Sequence, residues 1–562
     1  MRSAPRAAAI VLFAALDAAM EAIPSSARCN GRSVTNHQSS LVSTRESSEW
    51  IANQAAIGDL HGRPRDRGQH LKRPRSPMQP LASARVSGLV VDRDAVVVGA
   101  GPNGLVAAVT LARAGWRVVV LEAAATPGGG TRTAELTKPG FVHDVCSAIH
   151  PLALASPALA DLPLNDHGVK WIHPDAPLAH VLDGGRAAFL ERSIDDTARQ
   201  LGADRTAYES LFSPLVEHGQ AIVETMLSPL GFPQEPFQLA RFGLRAIRSA
   251  NGLARSHFST DEGRALLAGM ADHAMLPLSA AGTGGYGLFM GLLAHLVGWP
   301  LVEGGSQRIT DALVAILRVH GGEVVTGNEV TSLSELPPAR AVLLDVTPRQ
   351  LLRIAGDRLP GRYAEALRRF QYGPGIFKVD WALDGPVPWI VEDVARAATV
   401  HVGGTIDEID ASEAAVRTGG HAERPFVLVA QQSGFDPSRA PEGKQTLWAY
   451  CHVPHGSDID QTDVIERQIE RFAPGFRDRV IARHTIDPSQ LEAYNANDVG
   501  GDINGGAGNL RQVFTRPVIS LHPWKTPLPG VYLCSSSTPP GGGVHGMCGW
   551  HAAQAVMRRE RG

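Results

Sequence analysis

Residues 94–124 read DAVVVGAGPNGLVAAVTLARAGWRVVVLEAA, and this stretch decides the fold. Ala95 to Val98 are a short unbroken apolar run, as a central parallel strand requires. Gly99, Gly101 and Gly104 then supply the G-x-G-x-x-G spacing. Gly99 allows a tight turn out of the strand, Gly101 lets a diphosphate approach the backbone, and Gly104 lets the following helix pack closely on the sheet. Pro102 and Asn103 lie inside the same turn, where free helix-terminal N–H groups attract an anion. The helix runs to about Ala114 and Gly115 caps it. Val118 to Leu121 form a second strand ending at Glu122, 18 residues after Gly104. An acid there accepts a hydrogen bond from a ribose 2′-hydroxyl and repels a 2′-phosphate, which disfavours NADP.

The following stretch, AAATPGGGTRTAEL (123–136), lengthens the cofactor. NAD needs no second glycine-rich loop. Gly128, Gly129 and Gly130 give backbone room for a ribityl chain and flavin beyond the diphosphate, so FAD is the expected cofactor. Gly129, Gly130, Thr131 and Arg132 are its candidate contacts.

Upstream, the character differs. Residues 1–90 are rich in Arg, Ser and Pro, and HGRPRDRGQHLKRPRSP is strongly basic. They read as a disordered or targeting extension. Arg2 and Arg6 precede an apolar run, but Asp17 and Glu21 interrupt it. The expected location is cytoplasmic, or the mitochondrial matrix if the extension is a transit peptide. The whole chain has 562 residues, 44% hydrophobic and 19% charged, with a formal charge of -3. That length implies more than one core, and the charge gives no hint of nucleic acid. Five cysteines, Cys29, Cys146, Cys451, Cys534 and Cys548, include no C-x-x-C, which excludes a dithiol redox centre of that kind. The apolar GLFMGLLAHLVGW is broken by Gly and His and is expected to be a buried helix.

The glycine-rich start, followed by PGFVHDVCSAIHP (139–151), resembles the phytoene desaturase-related branch of flavin amine oxidase-like proteins. PGVYLCSSSTPPGGGVHGMCGWHAAQAV (529–556) resembles the closing flavin segment of that branch. FKVDWALDGPVPW (377–389) and GGDINGGAGNLRQVFTRPV (500–518) extend the likeness to the pyridine nucleotide-disulfide oxidoreductase domain-containing protein 2 group. The resemblance implies an FAD-dependent oxidoreductase of the dehydrogenase or desaturase kind, taking hydride from a carbon of an apolar, polyene- or lipid-like small molecule. It implies cofactor contacts at Val330 through its backbone, and at Ser535, Gly543 and Val544. It also places a helix from about Trp550 to Met557 with its N-terminus toward the flavin. Ser535-Ser536-Ser537 stand where related flavoproteins carry a carboxylate. A flavin amine oxidase and a non-redox binding protein on the same fold are the alternatives.

The fold class is therefore α/β, a discontinuous Rossmann-type FAD-binding domain with an α+β substrate domain. The FAD-binding parts are placed at 91–165, 291–350 and 501–562, a mainly helical substrate region at 166–290, and its sheet at 351–500. His545, inside GGGVHGMCG, is the candidate catalytic acid or base. Cys451, His452 and His455 hint at a metal site, but the strand-like context and Pro454 argue against it and no metal is expected. Lacking a second strand–G-x-G-x-x-G–helix unit, the chain is expected to pass electrons to oxygen or a quinone, with peripheral membrane contact as a further option.

Overall fold

The computed structural model describes residues 93–228 and 235–561. The expectations for residues 1–90, including Cys29, lie outside the described residues. The strands of the two main sheets are, in chain order, β1 (Ala95–Val98), β2 (Val118–Leu121), β3 (Ala176–Leu182), β4 (Arg186–Leu190), β5 (Glu323–Val325), β6 (Ala341–Leu344), β7 (Gly375–Leu383), β8 (Ala397–Val402), β9 (Val427–Ala430), β10 (Gln445–Val453), β11 (Val480–Ile486) and β12 (Val531–Leu533). The helices that matter below are α1 (Pro102–Arg113), α2 (Asp261–Asp272), α3 (Thr283–Leu296), α4 (Gln307–Val319), α5 (Ile406–Arg417), α6 (Thr462–Phe472) and α7 (Met547–Arg561).

The first sheet has the order β12-β6-β1-β2-β5 and is parallel throughout. β1 and β2 are AVVV and VVVL, buried along their whole length, as strands covered on both faces must be. The chain leaves β1 toward β2 on one side and returns on the other as β6. That reversal makes the crevice beyond the carboxyl ends of β1 and β6 the topological switch point, where such sheets bind ligands. Three distant parts of the sequence build this one sheet.

The second sheet has the order β11-β7-β10-β9-β8-β3-β4 and is antiparallel except for β8 against β3. Its two faces differ in chemistry. Phe377, Val379, Trp381 and Leu383 alternate onto one side and pack with Leu447, Ala449, Cys451 and Val453, under Ile465, Ile469 and Phe472 of α6. The opposite side presents Lys378, Asp380, Trp448, Tyr450, His452, His401 and His180. All of these are buried except Tyr450, which is half-buried. A sheet face that is polar and yet withdrawn from water costs stability unless its groups are paired.

Two expectations need correction. The sheet placed at 351–500 also takes β3 and β4 from the region 166–290, which is otherwise mainly helical. APLAHVL in β3 is buried at every position, so it lacks the polar–apolar alternation that would reveal a strand. The C-terminal helix begins at Met547, three residues before the expected Trp550. GLFMGLLAHL falls in α3, largely buried as expected. Among the described residues no helix is long and apolar enough to cross a membrane.

Candidate active site

The cradle begins where β1 ends. Gly99 has φ +102°, a conformation L side chains rarely adopt. A Cβ on Gly104 would lie 2.1 Å from the Gly99 carbonyl oxygen, so α1 can start this close to the strand only with glycine there. Gly101 caps α1 without any side-chain hydrogen bond, Pro102 occupies the first turn, and that turn carries no acid. The helix terminus is thus left for a ligand, except that the Gly104 N–H donates to Asp345 Oδ2 at 2.9 Å. A Cβ on Gly129 would lie 3.2 Å from the Gly101 Cα. The second glycine-rich loop therefore lies backbone to backbone on the first. The residues fit a dinucleotide: two glycine loops and an uncapped helix N-terminus face one crevice at the switch point.

Glu122 braces this crevice. Its Oε2 accepts from the Ala100 N–H at 2.7 Å and its Oε1 from the Ala124 N–H at 2.9 Å. Arg132 Nη2 lies 3.3 Å from Oε1, and its Nε donates to the Thr126 carbonyl. The Arg132 guanidinium also sits 5.1 Å from the Tyr494 ring centre. The Thr131 hydroxyl does not face outward. It donates to the Gly128 carbonyl and meets Thr310 Oγ1 on α4, both at 2.7 Å, so it shapes the loop. Gly130 lies close to Cys146, whose Sγ would be 3.8 Å from an added Cβ. Val330 is buried in the same apolar cluster as Val98, Leu121, Leu344 and Val346, which stand at or just beyond the carboxyl ends of β1, β2 and β6.

The C-terminal segment closes the same crevice. A Cβ on Gly549 would lie 1.8 Å from the Asn103 carbonyl oxygen, so α7 crosses the start of α1 at backbone contact. Gly543 has φ +114° and, with Val544, lies in the loop leading into α7. Ser535 follows β12, and its hydroxyl donates to the Val346 carbonyl at 2.7 Å, tying the exits of β12 and β6 together. Asn103 Oδ1 is buried without a partner among the described residues.

His545 is not placed as a proton carrier. Its Nδ1 accepts from the Met547 N–H at 3.0 Å and its Nε2 meets the Gly541 carbonyl at 3.2 Å. Burial pushes its pKa down to about 4. Both ring nitrogens hold the glycine loop, and none is left for a substrate. Cys548 is likewise inert: burial pushes its thiol up to about 12.

Several further residues lie around this site; the sequence flags His143 and His150 among them because they flank the glycine-rich segments, and it passes over the others. Asp345 follows β6 as Glu122 follows β2, and the acid at a strand end was the available signal. Burial pushes its carboxyl up to about 7. On the polar face of the second sheet, Lys378 Nζ contacts Asp380 Oδ1 and lies 5.3 Å from the Trp448 ring centre. His143 Nδ1 approaches Asp380 Oδ1 at 3.5 Å while its Nε2 meets Thr137 Oγ1. Burial lowers His143 to about 4, so it stays neutral. Tyr450 and Tyr494 pack with Val145, Met275 and Ile376 between that face and the glycine loops. Met275 has φ +54°, a strained backbone at the heart of this cluster. His150 is instead structural, bonded to Ser306 at 2.8 Å. Asp144 is also structural, paired with Arg439 at 2.8 Å with both side chains buried.

Comparison with known proteins agrees with this architecture. Residues 97–162 match the family described as NAD(P)-binding Rossmann-like domain. The chain is 27% identical to the rat pyridine nucleotide-disulfide oxidoreductase domain-containing protein 2, over 83% of this chain and 93% of that protein. It is 25% identical to a limonene dehydrogenase component from Castellaniella defragrans, over 83% and 94%. It is 26% identical to the neurosporene-forming phytoene desaturase of Rhodobacter capsulatus, over 81% and 92%. Among solved structures, an oxidoreductase from Methanosarcina mazei superposes with a TM-score of 0.57 at 18% identity, covering 83% of this chain and all of that one. Putrescine oxidase superposes at 0.54 and 18%, covering 84% and 100%. With a dinucleotide crevice at the switch point, closed by both ends of the folded chain and faced by a polar sheet, this chain has the architecture of a dinucleotide-binding oxidoreductase and is similar in sequence to the phytoene desaturases.

Proposed function

We propose that this chain is an FAD-dependent dehydrogenase that takes a hydride from a carbon of an apolar small molecule, polyene- or lipid-like. The observation that carries the reading is the contact of Gly549 with Asn103, beside the stacked Gly101 and Gly129 loops. A crevice lined by three glycine-rich segments supports a cofactor longer than a mononucleotide. When bound, the flavin supplies the hydride-accepting ring. Gly99, Gly101, Gly104, Gly129 and Gly130 would hold the cofactor by backbone, with Glu122 at the ribose and the start of α7 presenting its dipole to the ring. The chain's own side chains orient the substrate and exclude water: Tyr450 and Tyr494 close the space, and Lys378 with Asp380 fixes charge beneath it.

The relatives named for phytoene and limonene support an apolar substrate. A lipid surface as its source is supported by the helix Pro236–Ala246, where Phe237 is 87% and Leu244 70% exposed. Oxygen or a quinone is the proposed acceptor, because the two glycine loops together serve one cofactor.

An amine oxidase is the second reading. Lys378 lies beside the stacked Trp448 and Tyr450 rings, 5.7 Å apart at 18°, an aromatic and lysine pairing that suits an amine. Purified protein should absorb at about 450 nm, and anaerobic terpenoids should bleach it where amines do not. Colourless protein would sink the flavin reading. Bleaching and peroxide release with amines alone would favour the second.

A further inference from the structure

Two residues along β10 from Tyr450, on the same polar face, His452 meets two carboxylates from distant helices. Its Nδ1 lies 2.9 Å from Glu413 Oε1 on α5 and 3.5 Å from Asp272 Oδ2 at the end of α2. One ligand-type atom from each residue lies within 4.8 Å of the other two. All three side chains are buried, with Asp272 at 0% exposure. Neither oxygen of Asp272 has a hydrogen-bond partner among the described residues. A carboxylate so placed forfeits its hydration with nothing in exchange.

The charges around it deepen the deficit. Glu413 and Asp410 both act on Asp272, and both are acidic. Asp410 is occupied elsewhere, accepting from Asn251 Nδ2 and the Ser279 N–H. The Phe426 and Tyr450 rings lie tilted beside the His452 ring, with centroids 6.3 and 5.9 Å from it. A buried imidazole therefore meets two carboxyl groups in one cluster closed off from solvent. A four-coordinate ion with bonds of about 2.0–2.2 Å holds neighbouring ligand atoms roughly 3.3 Å apart. The 2.9 and 3.5 Å from His452 Nδ1 lie on either side of that spacing, and one oxygen of each acid lies within 4.8 Å of the other.

We propose that Asp272, Glu413 and His452 form a binding site for a divalent first-row transition ion, zinc being the probe of choice. Three protein ligands leave one further position. The ion neutralises the two carboxylates and displaces the proton from His452 Nδ1. It pins α2, α5 and β10 together directly beside Tyr450, so it sets the position of that side chain. The inference does not depend on the flavin reading, because none of the three ligands belongs to the cofactor crevice.

The test uses the full chain, expressed with added zinc, purified, and assayed for metal by mass spectrometry. The wild type should retain about one ion per chain, and Asp272→Asn about tenfold less or lower still. Chelation should lower the melting temperature of the wild type and leave that of Asp272→Asn unmoved. Glu413→Gln serves for the same comparison if Asp272→Asn does not fold. Wild type that holds no zinc, or variants that hold as much as wild type, would overturn the proposal. So would a wild type whose melting temperature neither added zinc nor chelation moves.

Discussion

The Asp345 carboxylate accepts the Gly104 amide proton at 2.9 Å, at the same helix terminus that a diphosphate would approach. Burial, with Glu122 adding to it, raises this carboxyl from its ordinary 3.8 to about 7 against the pull of the Gly104 N–H. Between those two values the folded protein binds a proton that the unfolded chain releases. Stability from this group is therefore full below about pH 4, is lost as the pH rises through about 7, and levels off above. The upper limit is about 4 kcal/mol. Asp345→Asn should flatten that decline, seen as melting temperatures between pH 4.5 and 8. A bound diphosphate would favour the protonated acid further. Flavin binding near neutrality should then take up a proton, giving calorimetric heats that depend on the buffer in the wild type and not in the variant.

Gly101 and Gly549 should fail in different ways. Gly101 has φ -73°, and the nearest atom to an added Cβ is Asp345 Oδ2 at 3.0 Å. Gly101→Ala should fold with a loss of about 1 kcal/mol yet purify without flavin, because its methyl occupies the diphosphate approach. Gly549→Ala places a methyl 1.8 Å from the Asn103 backbone, so α1 and α7 must part. It should cost about 3 kcal/mol or more. Urea denaturation read beside the flavin absorbance separates the two, and full flavin content in Gly101→Ala would refute the proposed approach.

Lys378 and Asp380 form a buried pair, at 1% and 0% side-chain exposure. Lys378→Met alone would leave Asp380 charged without its cation, at a cost of about 3–5 kcal/mol. Replacing both, Lys378→Met with Asp380→Leu, should recover most of that stability. Flavin reduction by substrate should stay slow in both variants. Recovery of the reduction rate along with the stability would show that the pair is only structural.

The glycines of the crevice were legible where the backbone itself leaves no room for a side chain. Gly104 and Gly549 are excluded from bearing a Cβ by backbone atoms, so the requirement is written at the position itself. The polar face of the second sheet was not legible in the same way. Lys378 and Asp380 gain meaning from Tyr450 and Trp448 across the register of two strands, and from His143 over 200 positions upstream. Cys451 and His452 stood out together in the sequence, but strand alternation sends them to opposite faces. Cys451 joins the apolar core while His452 meets Asp272 and Glu413, neither of which is near it in the chain. β3 escaped notice because burial on both faces erased its period.

His545 was singled out for its place among glycines, and the geometry turns that into a prediction about loop shape. Its Nδ1 accepts from Met547 and its Nε2 meets the Gly541 carbonyl, so an asparagine, whose amide can accept and donate at similar reach, should replace much of it. His545→Asn should keep flavin and turnover, while His545→Ala should lose both along with about 1–3 kcal/mol of stability. The pH dependence gives a second reading. Burial depresses the folded-state pKa from 6.5 to about 4, so the unfolded chain binds the extra proton in that window. Stability from this group is present above about pH 6.5 and is lost as the pH falls toward 4, by at most about 3 kcal/mol. His545→Asn should lessen this acid sensitivity while leaving the pH profile of turnover unchanged. Equal loss of turnover in both variants, at undiminished flavin content, would restore His545 as a proton carrier.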